Sequence, residues 1–357
     1  MSAAMSAPLQ SVLHPAGPDA GIISQFAWVL FAGSAVIFVA VMVLMVLSLR
    51  RSARPVTPRW WIFGAGFAFP VAVLSALLIW STWRSAELTP QTSKGALTIG
   101  VTAKMWWWEV RYHDPASGRE IASANEIRIP VGRPVYLGLT STDVIHSLWV
   151  PALNGKMDTV PGRVTGLTLR ADKPGVYRGQ CAEYCGEQHA RMALHVVAMP
   201  PEEFDRWLAR EAQPAAMSNN ALVERGRAAF LEQRCQACHT IRGVAGNARL
   251  GPDLTHVGSR LHIAAGTLRN HRGTLAGWIA DPQAIKPGAR MPADLRHVPG
   301  LLDQGDVSRL RRFVILLHFL RLPGNPVGDG WRRRRRRGQG RVLLQRRGVM
   351  LGCRVRS

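Results

Sequence analysis

Two uncharged apolar runs constrain this chain more than any other feature of its sequence. Residues 26–49, FAWVLFAGSAVIFVAVMVLMVLSL, and 60–83, WWIFGAGFAFPVAVLSALLIWSTW, contain no Asp, Glu, Lys or Arg. At about 1.5 Å of rise per residue, each is long enough to cross a hydrocarbon layer of about 30 Å. The ten residues between them, RRSARPVTPR, hold four arginines, whereas residues 1–23 hold no Lys or Arg. Basic loops stay on the cytoplasmic side, so the loop is expected inside and both flanks outside. The alternative is a pair of buried core helices. No secretory leader with a basic n-region is evident. The expected start is an extracytoplasmic segment, 1–23, followed by a membrane hairpin, 24–84.

A formal net charge of +22 would ordinarily suggest nucleic acid. Its distribution argues otherwise. Residues 323–357 hold eleven arginines against the single acid Asp329, and Lys is rare throughout, five against forty Arg. That ratio fits GC-rich coding better than a selected basic surface, so no nucleic-acid partner is expected. The tail PGNPVGDGWRRRRRRGQGRVLLQRRGVMLGCRVRS has three readings: a tether for anionic lipid, a disordered solvated tail, or out-of-frame translation of GC-rich DNA. The last is favoured, and Cys353 receives no role.

After the hairpin the pattern changes to short β-rich runs: LTIGV (97–101), VYLGLTS (135–141), GLTLRA (166–171) and HVVAM (195–199). Turn residues punctuate them, and such spacing predicts a sandwich or barrel over 96–200. A polar helical linker follows over 201–218. Residues 219–322 read as a helical domain with long loops, opening on ALVERGRAAFLEQR and closing on DVSRLRRFVILLHFL. The expected fold class is a multidomain membrane protein: a two-helix transmembrane hairpin, an all-β barrel and an all-α domain.

Four of the five cysteines form two close pairs, Cys181/Cys185 and Cys235/Cys238. The first lies in CAEYCGEQHARM (181–192), with His189 and Met192; His146 lies upstream in DVIHSLWVPALNGKMDTVPGR (143–163). Two thiolates, two imidazoles and a thioether make a soft donor set, suited to copper and unsuited to Mg or Ca. Cysteines four apart on a loop can both bridge a metal pair. A disulfide with incidental His and Met, or structural zinc, remains open on this stretch alone.

With the hairpin, WWWEV, DVIHSLWVP, GKMDTVPGR and CAEYCGEQHARM together, residues 20–200 resemble subunit II of the haem-copper oxidases. The resemblance implies a cupredoxin barrel holding CuA, a dinuclear copper centre. Cys181 and Cys185 would bridge both coppers, His146 and Met192 would complete one, and His189 with the Glu183 carbonyl the other. The Glu183 side chain would also reach a Mg ion shared with the catalytic subunit. Alternation in AKMWWWEVRY sets Trp106 and Trp108 on one strand face and Trp107 on the other. The resemblance makes Trp106 the electron-entry residue, although the family's usual preceding Gln is Met105 here. Packing or interfacial anchoring is the alternative for any one of these tryptophans.

The second pair, RCQACHT, has the Cys235-x-x-Cys238-His239 pattern of covalent haem c. A redox pair or half a zinc site would share it. Met291, in KPGARMP, is the only methionine between 218 and 349 and supplies the distal ligand; His/Met ligation raises the iron potential into a carrier range. Competing distal candidates are His256, His262, His271 and His297. The segment resembles a class I cytochrome c domain, as fused to subunit II in some bacterial oxidases, through GPDLTHVGSR and LAGWIADPQAIKPGARMP. That resemblance puts Pro252 beside the proximal His and Arg260 and Trp278 near the haem propionates. Residues 219–322 carry fifteen Lys and Arg against seven acids, and 96–200 carry eleven against nine. Net charge shows no acidic docking face, and tethering supplies effective concentration in its place.

The resemblance implies a subunit of a proton-translocating cytochrome c oxidase, in a bacterial inner membrane with copper and haem domains outside. Its partners would be subunit I, further oxidase subunits, membrane lipid, and a donor such as a cytochrome c or a cytochrome bc complex. The rivals are the CuA subunit of a nitric oxide reductase and a membrane-tethered carrier or copper-delivery protein without a catalytic partner.

Overall fold

The computed structural model describes residues 10–50, 57–88, 97–113, 118, 120–216 and 220–292. The expected helix over 306–320, the tail 323–357 and His297 lie outside the described residues.

The first apolar run forms α1 (Pro18–Arg50). The second is continuously helical from Trp60 to Leu88. It is wound as a π-helix over Trp60–Ala68 and continues as α2 (Phe69–Ser85). Pro70 carries no N–H and so donates no helical bond where the π-helical stretch passes into α2. Both helices are long and apolar enough to cross a membrane, and their most apolar windows are not buried by the rest of the chain. They touch through Phe26 and Trp80, ring centroids 4.9 Å apart, and through Arg84 Nη2, which donates to Gln25 Oε1 at 2.8 Å.

The residues before α1 lie against the β domain. The Ala16 amide donates to the Ala152 carbonyl (2.7 Å), the Asp172 amide to the Ala16 carbonyl (2.8 Å), and Asn154 Nδ2 to Asp19 Oδ2 (2.9 Å). A Cβ at Gly17 would sit 2.3 Å from the Arg170 carbonyl oxygen, so only glycine fits this crossing. The chain ahead of the hairpin and the barrel after it are therefore on one side, as the arginine-rich connecting loop predicts.

Ten strands build the barrel: β1 (Leu97–Lys104), β2 (Trp107–His113), β3 (Glu120–Ala124), β4 (Glu126–Pro130), β5 (Val135–Ser141), β6 (His146–Trp149), β7 (Lys156–Thr159), β8 (Thr165–Leu169), β9 (Gly175–Cys181) and β10 (Ala193–Met199). They form two five-stranded sheets, β3-β2-β1-β5-β8 and β4-β10-β9-β6-β7. Alternation sets the inward faces: Ile99, Val101 and Ala103 on β1 and Val135, Leu137 and Leu139 on β5 are fully buried. Trp108, Tyr112, Leu148 and Val196 fill the space between the sheets.

The expected register of the three tryptophans needs correction. Lys104 pairs with Trp107, so Met105 and Trp106 form a two-residue hairpin turn. Strand alternation begins only at Trp107, and Trp106 does not share a strand face with the buried Trp108.

The linker forms α3 (Pro201–Glu211), which buries Phe204 and Trp207 against the barrel. The C-terminal domain contains α4 (Ala221–Glu232), α5 (Arg272–Ala280) and α6 (Pro282–Ile285) around Phe230, Ile241, Val257 and Ile279. It also holds one ladder the sequence did not signal, β11 (His262–Ile263) with β12 (Leu268–Arg269). The two domains are hydrogen-bonded to each other. The Leu261 amide donates to Glu126 Oε2 (2.8 Å), the Ala193 amide to the Ala265 carbonyl (3.0 Å), and Arg128 Nη2 to the Ser259 carbonyl (3.1 Å). His195 and His262 stack across the same boundary with centroids 3.9 Å apart. Net charge alone did not show these directional contacts.

Candidate functional site

The first site lies where β6, β9 and the loop from 182 to 192 meet. The end of β9 presents Cys181 and the start of β6 presents His146, both buried. A short 3₁₀ turn, His189–Arg191, brings His189 and Met192 back over the cysteines. Cys181 Sγ and Cys185 Sγ are 3.8 Å apart and unbonded. His146 Nδ1 and the Glu183 carbonyl oxygen lie 3.9 and 3.2 Å from Cys181 Sγ. His189 Nδ1 and Met192 Sδ lie 3.6 and 3.9 Å from Cys185 Sγ. All six residues singled out in the sequence thus converge on one small volume. Among the described residues, His146, Cys181 and Cys185 are the group whose ligating atoms lie within 4.8 Å of one another.

The electrostatics prepare thiolate. A hydrogen bond from Cys185, with help from His146, holds the Cys181 thiol below its ordinary value against the opposing effect of burial. The same bond and burial push Cys185 up. A bound cation deprotonates coordinating thiols outright, so the site as folded already favours one thiolate and a metal would supply the second.

Asp143, which the sequence reading passed over, organises this site. Its Oδ1 accepts from His146 Nε2 at 2.8 Å, so Nδ1 of that ring is left facing Cys181. Its Oδ2 accepts from the Met105 amide at 2.8 Å. Burial raises the Asp143 carboxyl, but the bonds from His146, Met105 and Val144 outweigh it and hold it below its ordinary value. The signal available in the sequence was an acid three residues before a ligand histidine.

The second site is a cavity of about 670 Å³ between the domains, within the range of about 300–1,000 Å³ usual for cofactor pockets. Cys235, Cys238, His239, Arg260, Trp278 and Met291 line it, joined from the barrel by Trp106 and Trp107. A 3₁₀ turn over Cys235–Ala237 sets both sulfurs on one wall. His239 Nδ1 donates to the Pro252 carbonyl at 2.8 Å, which fixes the tautomer and frees Nε2 for a metal. Burial lowers the His239 pKa, which keeps the ring neutral for that role. A Cβ at Gly251 would lie 2.5 Å from this ring, so a glycine is required there. Arg260 is buried, and its Nε has no hydrogen-bond partner among the described residues. A buried, unpartnered guanidinium nitrogen in a cavity wall suits a carboxylate on the occupant. The donor set, the volume and this orphaned nitrogen fit a haem.

Of the competing distal histidines, His256 bonds the Gln213 carbonyl and His271 caps α5, and neither lines the cavity. His262 lines it but stacks on His195. Trp106 joins the two sites. Its ring faces the cavity, and its Nε1 donates to the Cys185 carbonyl at 2.8 Å. Lys286, also missed in the sequence, is buried beside it and donates to the Trp106 carbonyl at 2.6 Å.

Residues 113–199 match the family described as cytochrome C oxidase subunit II, periplasmic domain, and residues 223–314 match cytochrome c. The chain thus carries a cytochrome c oxidase subunit II periplasmic domain followed by a cytochrome c domain. Cytochrome c oxidase subunit 2 of Alkalihalophilus pseudofirmus is 37% identical over 225 residues, covering 62% of this chain and 64% of that one. The Bacillus subtilis protein of that name is 31% identical over 239 residues, covering 62% and 66%. This chain therefore spans just under two thirds of the length of these relatives. The solved periplasmic domain of subunit II of cytochrome oxidase from Bradyrhizobium japonicum is 31% identical, covering 34% of this chain and 96% of that one, with a TM-score of 0.32. A subunit II domain implies CuA copper and a cytochrome c domain implies haem, matching the two donor sets in kind.

Proposed function

We propose that this chain is the electron-transferring subunit II of a cytochrome c oxidase and carries its own haem c. The observation that supports it best is the pair of converging donor sets with Trp106 between them. When bound, the copper pair and the haem supply one-electron oxidation and reduction. The chain's residues hold them and set the path. Cys235, Cys238, His239 and Met291 would hold the haem, the two thiols by covalent attachment. Cys181, Cys185, His146, Met192, His189 and the Glu183 carbonyl would hold the copper pair. Trp106 is the entry residue into the copper site. The Glu183 carboxylate, which here accepts from Lys156 Nζ at 3.2 Å, would in this reading meet a Mg ion at the joint with the catalytic subunit.

In this reading 1–23 is an outer segment, 24–84 anchors the chain, 96–200 holds copper, 201–218 links, 219–322 holds haem, and 323–357 is an Arg-rich tail without a role. A donor such as a cytochrome c or a cytochrome bc complex reduces the haem domain. Subunit I of the haem-copper type, with further subunits in a bacterial inner membrane, receives the electrons, reduces oxygen to water and pumps protons. The test is stoichiometry in the complex purified through a tag on this chain. A haem that resists acid-acetone extraction and stays with this chain on a denaturing gel, and a copper pair beyond the copper of the catalytic subunit, are expected; a chain that retains no haem after extraction, or a complex without that copper pair, contradicts the proposal.

A further inference from the structure

The loop after α6 touches both sites at once. Gln283 ties it down: its Nε2 donates to the Ala289 carbonyl (2.6 Å) and the Met291 carbonyl (2.8 Å), and its Oε1 accepts from the Gly288 amide (2.8 Å). The loop is therefore one stiff unit, with Met291 in the haem cavity at one end and Lys286 at the other. Lys286 is 3% exposed and sits against the barrel, where its Nζ meets the Trp106 carbonyl. Neighbouring contacts hold the loop to the copper-binding segment: Arg191 donates to the Ile285 carbonyl, and Gly288 packs against Glu187 and Trp106.

Burying a lysine is unfavourable unless its nitrogen is bonded. A solvent-exposed arginine or an apolar residue would serve packing alone at less cost. Here the nitrogen is directed at the backbone of the one residue whose side chain spans the two sites. Burial lowers Lys286 to about 7, yet an ammonium and a neutral amine both donate to a carbonyl, so the contact survives in either form.

We propose that Lys286 is a positioning residue for electron passage: it clamps the haem domain to the Trp106 turn, so that the indole bonded to Cys185 stays fixed against the haem cavity. The inference rests on the proposed function and adds to it a residue outside both ligand sets. Trp106 is held from both ends, by Lys286 on its carbonyl and by Cys185 on its indole N–H.

The test compares Lys286→Met, which keeps the stem and removes the donor, with Lys286→Arg, which restores one. Both are made in the copper- and haem-loaded complex. After rapid photoreduction of the haem, its electron is followed into the copper site, and amide exchange is followed in parallel. Loss of one strong clamp of about 1.4 kcal/mol corresponds to roughly a tenfold change. Lys286→Met is therefore expected to slow the transfer about tenfold and to speed exchange of the Leu261 and Ala193 amides, bonded across the boundary, by a similar factor. Direct reduction of copper by a small reductant and protection of the barrel-core amides of Val101 and Val110 stay at wild-type values, which a general loss of stability would not allow. Lys286→Arg recovers most of the transfer rate. Wild-type transfer and wild-type exchange in Lys286→Met overturn the inference. If the unmodified complex passes no electron from haem to copper, the proposed function fails, and the exchange arm alone decides whether Lys286 is a clamp.

Discussion

At the scale of single residues, the copper-type site depends on side chains that bind nothing themselves. Asp143 fixes which His146 nitrogen faces Cys181 and at the same time caps the Met105 amide of the Trp106 turn. Carboxylates that orient ligand histidines are typically worth about 10–100-fold in metal affinity. Asp143→Ala is expected to lower copper retention by a factor in that range, measured by competition with a chelator. Asp143→Asn keeps an acceptor oxygen and loses less. Equal retention by wild type and Asp143→Ala would contradict the role given to this carboxylate. The candidate ligands themselves were legible in the sequence because five of the six fall within twelve consecutive residues. Lys286 was not, because its role arises from a contact across 180 positions that no local spacing encodes; for Asp143 the local signal was the acid three residues before His146, while its bond to the Met105 amide spans 38 positions.

At the scale of elements, alternation and apolar run length were reliable guides wherever an element was long. The runs at 97–101, 135–141, 166–171 and 195–199 all fall within or largely on strands, and both apolar runs are helices. The reading failed where an element was shorter than its own period. Trp106 was placed by strand alternation one residue before the strand began, and the two-residue ladder β11–β12 has too few positions to show a pattern. The helix α3 carries the clearest pH-dependent element. Burial raises Glu211 from 4.5 to about 7, against the opposing charges of Arg260, Arg128 and Arg242 and with Glu126 adding to the rise. The folded chain thus holds this proton more tightly than the unfolded chain, so the contribution of Glu211 to stability falls as pH rises from about 4.5 through about 7. His195, lowered to about 3 by burial, acts in the opposite sense below neutrality, so the difference between variants is the informative quantity. Denaturant unfolding of Glu211→Gln is expected to gain on wild type as pH rises across that window. A constant difference from pH 5 to 8 would contradict the assignment.

At the scale of the whole molecule, the chain is a pair of long apolar helices and two candidate donor sites beyond them. The segment before α1 is bonded to the barrel, which ties the membrane hairpin to the copper domain, and the haem domain is bonded to the barrel at Glu126, Ala193 and Trp106. In the proposed function the chain's work is relay, and the reaction at the end of it belongs to a partner. The measurement that tests this most directly is gas consumption by the complex isolated through this chain and supplied with a one-electron donor. Oxygen uptake that cyanide abolishes, with a large haem-copper subunit copurifying, is the predicted result. Consumption of nitric oxide without oxygen uptake, or no consumption of either gas with no large subunit present, would contradict it.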